Sequence, residues 1–388
     1  MRVIDIDSHY FEPFEWLEET DPTLVAELPQ IDKLTLVLTT AFGEVLSTLP
    51  PQFKPDPYDR IPKGLLPEGG AITPEILEQG SQMMEAWVHS VPGAHKLDDR
   101  LAFLNAQGID EQWVLPTFAF NPISFIRREK PELAGRLLSA YNTWACENLA
   151  GSDRVSAVTV VDLKTMDRQA VENELKLTRE RGSRSFLFWP SPVEGVSLGH
   201  PDLDWFWATA ADHGLMPQVH VGAGRPNIDY GWLNNGREFP SQHIAYFGQL
   251  HQIPELLLLE LLGAGTFEKH PNLRIIVAEL GIDWLPSFVR RADRLAKGAG
   301  EAWGYPLLPS EYLRRQLRVS PLHTDPVAHV IDEVGKDLVV FSTDYPHPEG
   351  GANAVSAFRE KLAKREVAAA VTDAFFGGTI QADLEAIG

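Results

Sequence analysis

The chain has a single cysteine, Cys146, so no intramolecular disulfide can form and a reducing compartment is expected. Cations are scarce as well: 34 Lys and Arg stand against 54 Asp and Glu, a formal charge of -20. A field of that sign repels phosphate backbones and anionic lipid surfaces, so neither nucleic acid nor membrane is an expected partner. Long apolar runs are also missing. The most apolar helix-like stretch, Leu257 to Leu262, is interrupted by Glu260, far short of the roughly 18 apolar residues of a membrane span. Charge appears already at Arg2 and Asp5, so no secretion signal is expected and the location reads as cytoplasmic. One condition follows for function: an acid-binding pocket in so negative a protein needs its own arginine or metal to reverse the local sign.

What is present is an ordinary globular mixture, 44% hydrophobic and 23% charged over 388 residues, enough for a large core. That length suits one α/β barrel with insertions, or two small domains. Short β-branched runs alternate with amphipathic stretches, which predicts βα units around a parallel sheet. Strands are expected near Val3–Asp7, Gln112–Pro116, Val155–Val161, Ser185–Trp189, Met216–Val221, Leu273–Glu279, Leu317–Ser320 and Leu338–Ser342. Eight is the barrel number. Helices are expected between them, among them one from Leu97 ended by Gly108 and one over Pro131–Leu149. Two connections exceed the usual two to six residues of a barrel loop. One is an insertion over residues 30–95, with a hairpin pattern and a proline-rich stretch; the other runs from Gly222 to about Gln252. Both leave the carboxyl end of an expected strand, which suits either a lid over a pocket or an oligomer contact.

Chemistry concentrates at those strand ends. In Ile4-Asp5-Ile6-Asp7-Ser8-His9, residues two apart share a face, so Asp7 and His9 converge and suit a divalent metal. Asp5 shares the parity but lies deeper, where a supporting role is expected. His220 ends the fifth expected strand and Glu279 the sixth. An unpaired buried carboxylate would cost several kcal/mol, so Glu279 should meet a cation. Asp344 ends the eighth expected strand, with His347 three residues on as either a second acid/base group or a turn cap. His251 is either an acid or a helix-terminal structural residue. Arg225, after Gly222-Ala223-Gly224, is either a carboxylate clamp or a surface ion pair. Trp189, Phe118, Phe120 and Trp284 follow expected strands and could wall a pocket for an aromatic acid, although rings are common in cores too.

The opening Asp5-Ile6-Asp7-Ser8-His9-Tyr10-Phe11-Glu12-Pro13 resembles the start of the amidohydrolase-related family of aminocarboxymuconate-semialdehyde decarboxylase. So do Val219-His220, the run Gly265 to Arg274, Glu279-Leu280-Gly281-Ile282-Asp283-Trp284-Leu285-Pro286 and Ser342-Thr343-Asp344-Tyr345-Pro346-His347-Pro348. The resemblance spans nearly the whole chain. It implies a single amidohydrolase-like domain over 1–388, a distorted (β/α)8 TIM barrel with insertions at its C-terminal face, and homodimers or larger homo-oligomers. It also implies a mononuclear divalent metal, zinc first with Mn2+ or Fe2+ as alternatives, held by Asp7, His9, His220 and Asp344. Two departures stand out. Where the decarboxylases carry a histidine at the sixth strand end, this chain has Glu279, which resembles members that hydrolyse carbon–carbon bonds and use that glutamate as a ligand. The C-terminal Asp373-Ala374-Phe375-Phe376 lacks the family's Asn-Ala pair.

The leading expectation is therefore a hydrolase that opens a C–C or C–N bond beside a carbonyl of a small, aromatic-derived acid with metal-activated water. Asp344, Glu279, His251 and His347 are the candidate acid/base groups, and Arg225, Trp189 and Trp284 the candidate substrate contacts. The alternative on the same scaffold is non-oxidative decarboxylation of an aromatic or enoic acid. A non-catalytic barrel that binds a small acid is the third reading, and it has no need of a metal constellation.

Overall fold

The structure, a computed structural model, describes residues 2–13, 15–27, 82, 86, 88–119, 123, 126–127, 130–224, 232, 244–347, 350–351 and 353–388. Most of the insertion over 30–95 lies outside the described residues, as do Phe120, Arg225 and most of the connection after Gly224.

The strands are β1 (Ile4–His9), β2 (Glu111–Leu115), β3 (Val155–Ala157), β4 (Thr159–Val161), β5 (Ser185–Phe188), β6 (Met216–His220), β7 (Ile275–Ala278) and β8 (Leu317–Val319). Neighbours pair in parallel in the orders β1-β2-β3 and β4-β5-β6-β7-β8. All their residues are buried except Ser156, which is half-buried. That is why they read as nearly continuous apolar runs: helices cover one face of each strand and barrel-interior side chains the other.

Two expected strands differ from the sequence reading. The run Val155–Val161 is divided at Val158, whose N–H donates to Val114 O at 2.8 Å, so its first part pairs with β2 and its second with β5. The eighth run, Leu338–Ser342, keeps only a parallel bridge between Val319 and Val339. Beyond it the chain is held by other partners. Phe341 N–H donates to Phe375 O at 2.9 Å, Asp344 N–H to Asp7 O at 2.7 Å, and His9 N–H to Tyr345 O at 2.6 Å. The ring therefore returns to β1 through single hydrogen bonds rather than a regular ladder, which is the distortion of this (β/α)8 barrel.

The helices follow their local signals. Leu97–Gln107 ends at Gly108, which adopts the left-handed φ of 69° that a C-terminal cap favours. Pro131–Leu149 begins with its proline in the first turn, where the missing N–H costs nothing. Arg168–Glu180 is capped by Asp167, whose carboxylate accepts from Ala170 N, and buries Val171, Leu175 and Thr178 at helical spacing. The C-terminal helix Thr379–Ile387 is clamped under the barrel by Asp383. That carboxylate accepts from Arg274 Nε at 2.7 Å, and from Arg318 Nε at 2.5 Å and Nη2 at 2.8 Å. Among the described residues no helix is long and apolar enough to cross a membrane.

Candidate metal centre

Five side chains meet where the strands end. β1 supplies Asp7 and His9, β6 ends in His220, Glu279 follows β7, and Asp344 lies where the chain rejoins β1. Their side chains are 1–10% exposed. The pairing of β1 with β2 slips between Asp5 and Ser8, and such a bulge re-aims the side chains beside it. Glu279 and Asp344 both take a φ of 52°, a left-handed conformation costly for residues with a Cβ. The fold thus holds two carboxylates in strained turns at one spot, the pattern of a functional site.

The distances define one small constellation. His9 Nε2 lies 3.4 Å from Asp7 Oδ1, 3.4 Å from Asp344 Oδ1 and 3.8 Å from Glu279 Oε2. His220 Nε2 lies 3.4 Å from Asp7 Oδ1 and 3.0 Å from Glu279 Oε2. Yet Asp7 Oδ1 and Oδ2, His9 Nε2, His220 Nε2 and Glu279 Oε2 are all buried without a hydrogen-bond partner. Unsatisfied buried polar atoms cost about 1–3 kcal/mol each. Five in one place fit a divalent cation, and the mixed imidazole and carboxylate set suits zinc or manganese.

The outer contacts turn the rings the right way. His9 Nδ1 faces Pro116 O at 3.1 Å and His220 Nδ1 faces Val221 O at 2.8 Å. A carbonyl only accepts, so each Nδ1 carries the hydrogen and each Nε2 presents its lone pair to the centre. On the outer side His347 Nδ1 lies 2.8 Å from Asp344 Oδ1, and its Nε2 lies 3.3 Å from Thr117 Oγ1. Thr117 Oγ1 is also 3.2 Å from His9 Nδ1.

Among the protein groups alone, protonation follows these contacts. Burial and the neighbouring His347 charge hold His9 down at about 4, so its ring is neutral near pH 7. Burial works against a charge on His220, but Asp7 and Glu279 outweigh it and raise its pKa well above the usual histidine value. Burial likewise works against charge on Asp7 and Glu279, and His220 outweighs it in both, so both carboxyls stay ionised. Asp344 is pushed up to about 8 by burial and then by the charge of Glu279, so it keeps a proton near neutrality.

The other candidates have contacts of their own. His251 is half-buried just ahead of the helix Gln252–Gly263, and the clusters able to hold a metal among the described residues do not include it. Trp284 is buried and donates from Nε1 to Gly281 O at 2.8 Å. Trp189 is buried under the Arg127 guanidinium, 4.4 Å from its ring, and Arg127 in turn forks onto Asp162. Phe118 packs with Phe11, Val88 and Ala94. Arg225 and Phe120 fall outside the described residues. The sequence reading missed Thr117, whose signal is its place just after the strand pattern ending at Pro116. It also missed His323, which lines a small cavity with Asp7, Glu279 and Asp344.

Comparison with known proteins agrees with this architecture. A family model described as amidohydrolase matches residues 84–382, a span that begins after Asp7 and His9. No curated protein matches the chain. Among solved structures, an amidohydrolase from Mycobacterium avium subsp. paratuberculosis K-10 superposes with a TM-score of 0.68 at 22% identity, covering 99% of this chain and 97% of that one. A 5-carboxyvanillate decarboxylase from Sphingomonas paucimobilis gives 0.62 at 17% identity, with 99% of each chain covered. A dihydroxybenzoic acid decarboxylase from Polaromonas sp. JS666, with bound manganese and the inhibitor 2-nitroresorcinol, gives 0.56 at 15% identity, covering 99% of this chain and 97% of that one.

Proposed function

Since the chain belongs to the amidohydrolase family, we propose that it is a metal-dependent enzyme that decarboxylates a small aromatic or enoic acid without oxidation. The observation that carries this reading is the set of five buried, unpartnered ligand atoms at the carboxyl ends of the strands. The chemistry named for similarly folded proteins, 5-carboxyvanillate and dihydroxybenzoate decarboxylation, favours carboxylate loss over the hydrolysis that the sequence alone suggested. A divalent ion held by Asp7, His9, His220 and Glu279, with Asp344 beside it, would supply the positive charge that a protein of net charge -20 lacks for an anionic substrate. Manganese and zinc are both compatible with these ligands.

The chain's own residues then have distinct tasks. His9 and His220, pinned through Nδ1 to backbone carbonyls, keep their geometry rigid. Asp344, whose carboxyl burial and Glu279 push up to about 8 in the protein without metal, lies within hydrogen-bond reach of His347 Nδ1. This pair is the proposed source of the proton that replaces carbon dioxide on the substrate carbon. His347, 18% exposed and set against Thr117 Oγ1, would reload it.

Hydrolysis of a C–C bond remains the second reading, favoured by one observation. Glu279 stands 3.0 Å from His220 Nε2, where a ligand rather than a free acid/base group belongs. One experiment separates the two. Manganese-loaded protein is incubated with 5-carboxyvanillate, with 2,6-dihydroxybenzoate and with an aromatic-derived acid that carries a ketone beside a C–C bond, in water labelled with 18O and deuterium. Released carbon dioxide, with solvent deuterium on the product ring, supports decarboxylation. Solvent oxygen in a carboxylate product supports hydrolysis, and neither product from any aromatic acid tried removes both.

A further inference from the structure

The ladder between the last barrel segment and β1 is missing where the metal-binding side chains sit, and a buried carboxylate stands in for it. We infer that Asp5, fully buried and one pleat below Asp7, is a positioning residue that sets the geometry of the metal centre through a relay running Arg100–Gln112–Asp5–Thr343. This rests on the metal-centre reading above and adds the residues that hold the ligands in place.

The relay is continuous. Asp5 Oδ1 accepts from Thr343 N at 2.9 Å and from Asp7 N at 3.3 Å. Oδ2 accepts from Thr343 Oγ1 at 2.6 Å and from Gln112 Nε2 at 2.7 Å. Two of those donors are backbone N–H groups that a regular pair of strands would satisfy by itself. The bulge in β1 frees the Asp7 N–H, and the irregular chain after Val339 frees that of Thr343. Buried N–H groups need acceptors, and one carboxylate serves both. Thr343 Oγ1 in turn accepts from Tyr345 N at 3.1 Å, so the strained turn carrying Asp344 is held on both sides.

The other end of the relay is a buried cation. Arg100, 1% exposed, forms no ion pair among the described residues, and its Nη1 donates to Gln112 Oε1 at 3.0 Å. Its Nη2 donates to His9 O at 2.5 Å and to Ala94 O at 3.2 Å. The positive charge thus reaches Asp5 through the Gln112 amide, and the same guanidinium fixes the backbone of His9. An asparagine at position 5 that keeps its oxygen on the two backbone N–H groups turns its amide nitrogen towards Gln112 Nε2, and a Gln112 flipped to receive it turns its own nitrogen towards the Arg100 guanidinium. A network of this kind acts as a unit.

The test is manganese affinity, read from the free-ion electron paramagnetic resonance signal on full-length protein, with circular dichroism for the fold. Removing outer contacts of metal ligands typically weakens binding about 10- to 100-fold, and Asp5→Asn is expected to fall in that range. The double variant Asp5→Asn/Gln112→Glu lets the new amide donate to a carboxylate that also meets Arg100, and is expected to recover most of the loss. A general loss of packing would not be repaired by moving the charge one residue along. Thr343→Val is the second probe if Asp5→Asn does not fold: it should weaken binding about 10-fold, while Thr343→Ser, which keeps the hydroxyl, restores it. Wild-type affinity in Asp5→Asn, or in Thr343→Val, overturns the inference, as does a double variant no better than the single. Wild-type protein that takes up neither manganese nor zinc overturns the metal-centre reading itself.

Discussion

Metal binding should stabilise this protein measurably, and the size of the effect follows from the site. The perturbation is a comparison of chelator-treated protein with and without added Mn2+ or Zn2+, beside His220→Ala. Five buried ligand atoms lack partners in the protein alone, and a bound cation relieves them in the folded state only. At an ion concentration about 1,000 times the dissociation constant, linkage gives about 4 kcal/mol. Unfolding entropy of about 2.1 cal/mol/K per residue, over 388 residues, is about 0.8 kcal/mol/K, so the melting temperature should rise by about 5 °C. His220→Ala deletes the Nε2 that faces both Asp7 and Glu279. Its melting temperature should then move by less than about 1 °C at the same ion concentration. Scanning calorimetry reads both. A wild-type midpoint indifferent to Mn2+ and Zn2+, or an equal rise in His220→Ala, would refute the assignment of these atoms as ligands.

Further outcomes follow from particular contacts. Metal affinity should climb with pH between 6 and 8, because the ion must displace the proton of His220, whose pKa is raised by Asp7 and Glu279; titrations at three pH values that give one flat constant would contradict this. In metal-free protein the signs differ by group. The raised His220 contributes stability that is full below about 6.5 and lost as pH rises through its folded value, while the lowered Glu279 contributes stability that is lost as pH falls below about 4.5. The raised Asp344 opposes Glu279 on the acid side, since its cost grows as pH rises from about 3.8 to about 8, and it adds to the His220 loss on the alkaline side, so urea unfolding should show chelated protein weakening as pH rises above about 6.5. Asp383→Asn should lower stability by about 3–5 kcal/mol, since two buried arginines lose their counter-charge; urea midpoints within error of wild type would count against the clamp. Gly350→Ala should weaken manganese binding without touching a ligand, because the added Cβ would lie 2.4 Å from Asp344 O; an unchanged titration would show that the loop can give way.

The sequence by itself determined the barrel class and most of its parts. Runs such as Ile275–Ala278 and Ser185–Phe188 are apolar throughout because both their faces are buried, and that pattern survives without any neighbour in view. The strand ends then located Asp7, His9, His220, Glu279 and Asp344, because carboxylates and imidazoles closing apolar runs are conspicuous. Tertiary structure decided the rest. The break at Val158 depends on Val114, more than 40 residues away in sequence, and the loosening of Leu338–Ser342 on Phe375 and β1. No local propensity reports such partners. Asp5 could be placed deeper than Asp7 by parity, but only the bulge and the missing ladder gave its carboxylate two stray N–H groups to hold. Thr117 read as an unremarkable loop residue until folding brought its Oγ1 within 3.3 Å of Nε2 of His347, a residue the sequence had already singled out. The residue types of the centre are written in local pattern, whereas its protonation and geometry arise from distances between segments that are hundreds of residues apart, and those exist only once the ring has closed.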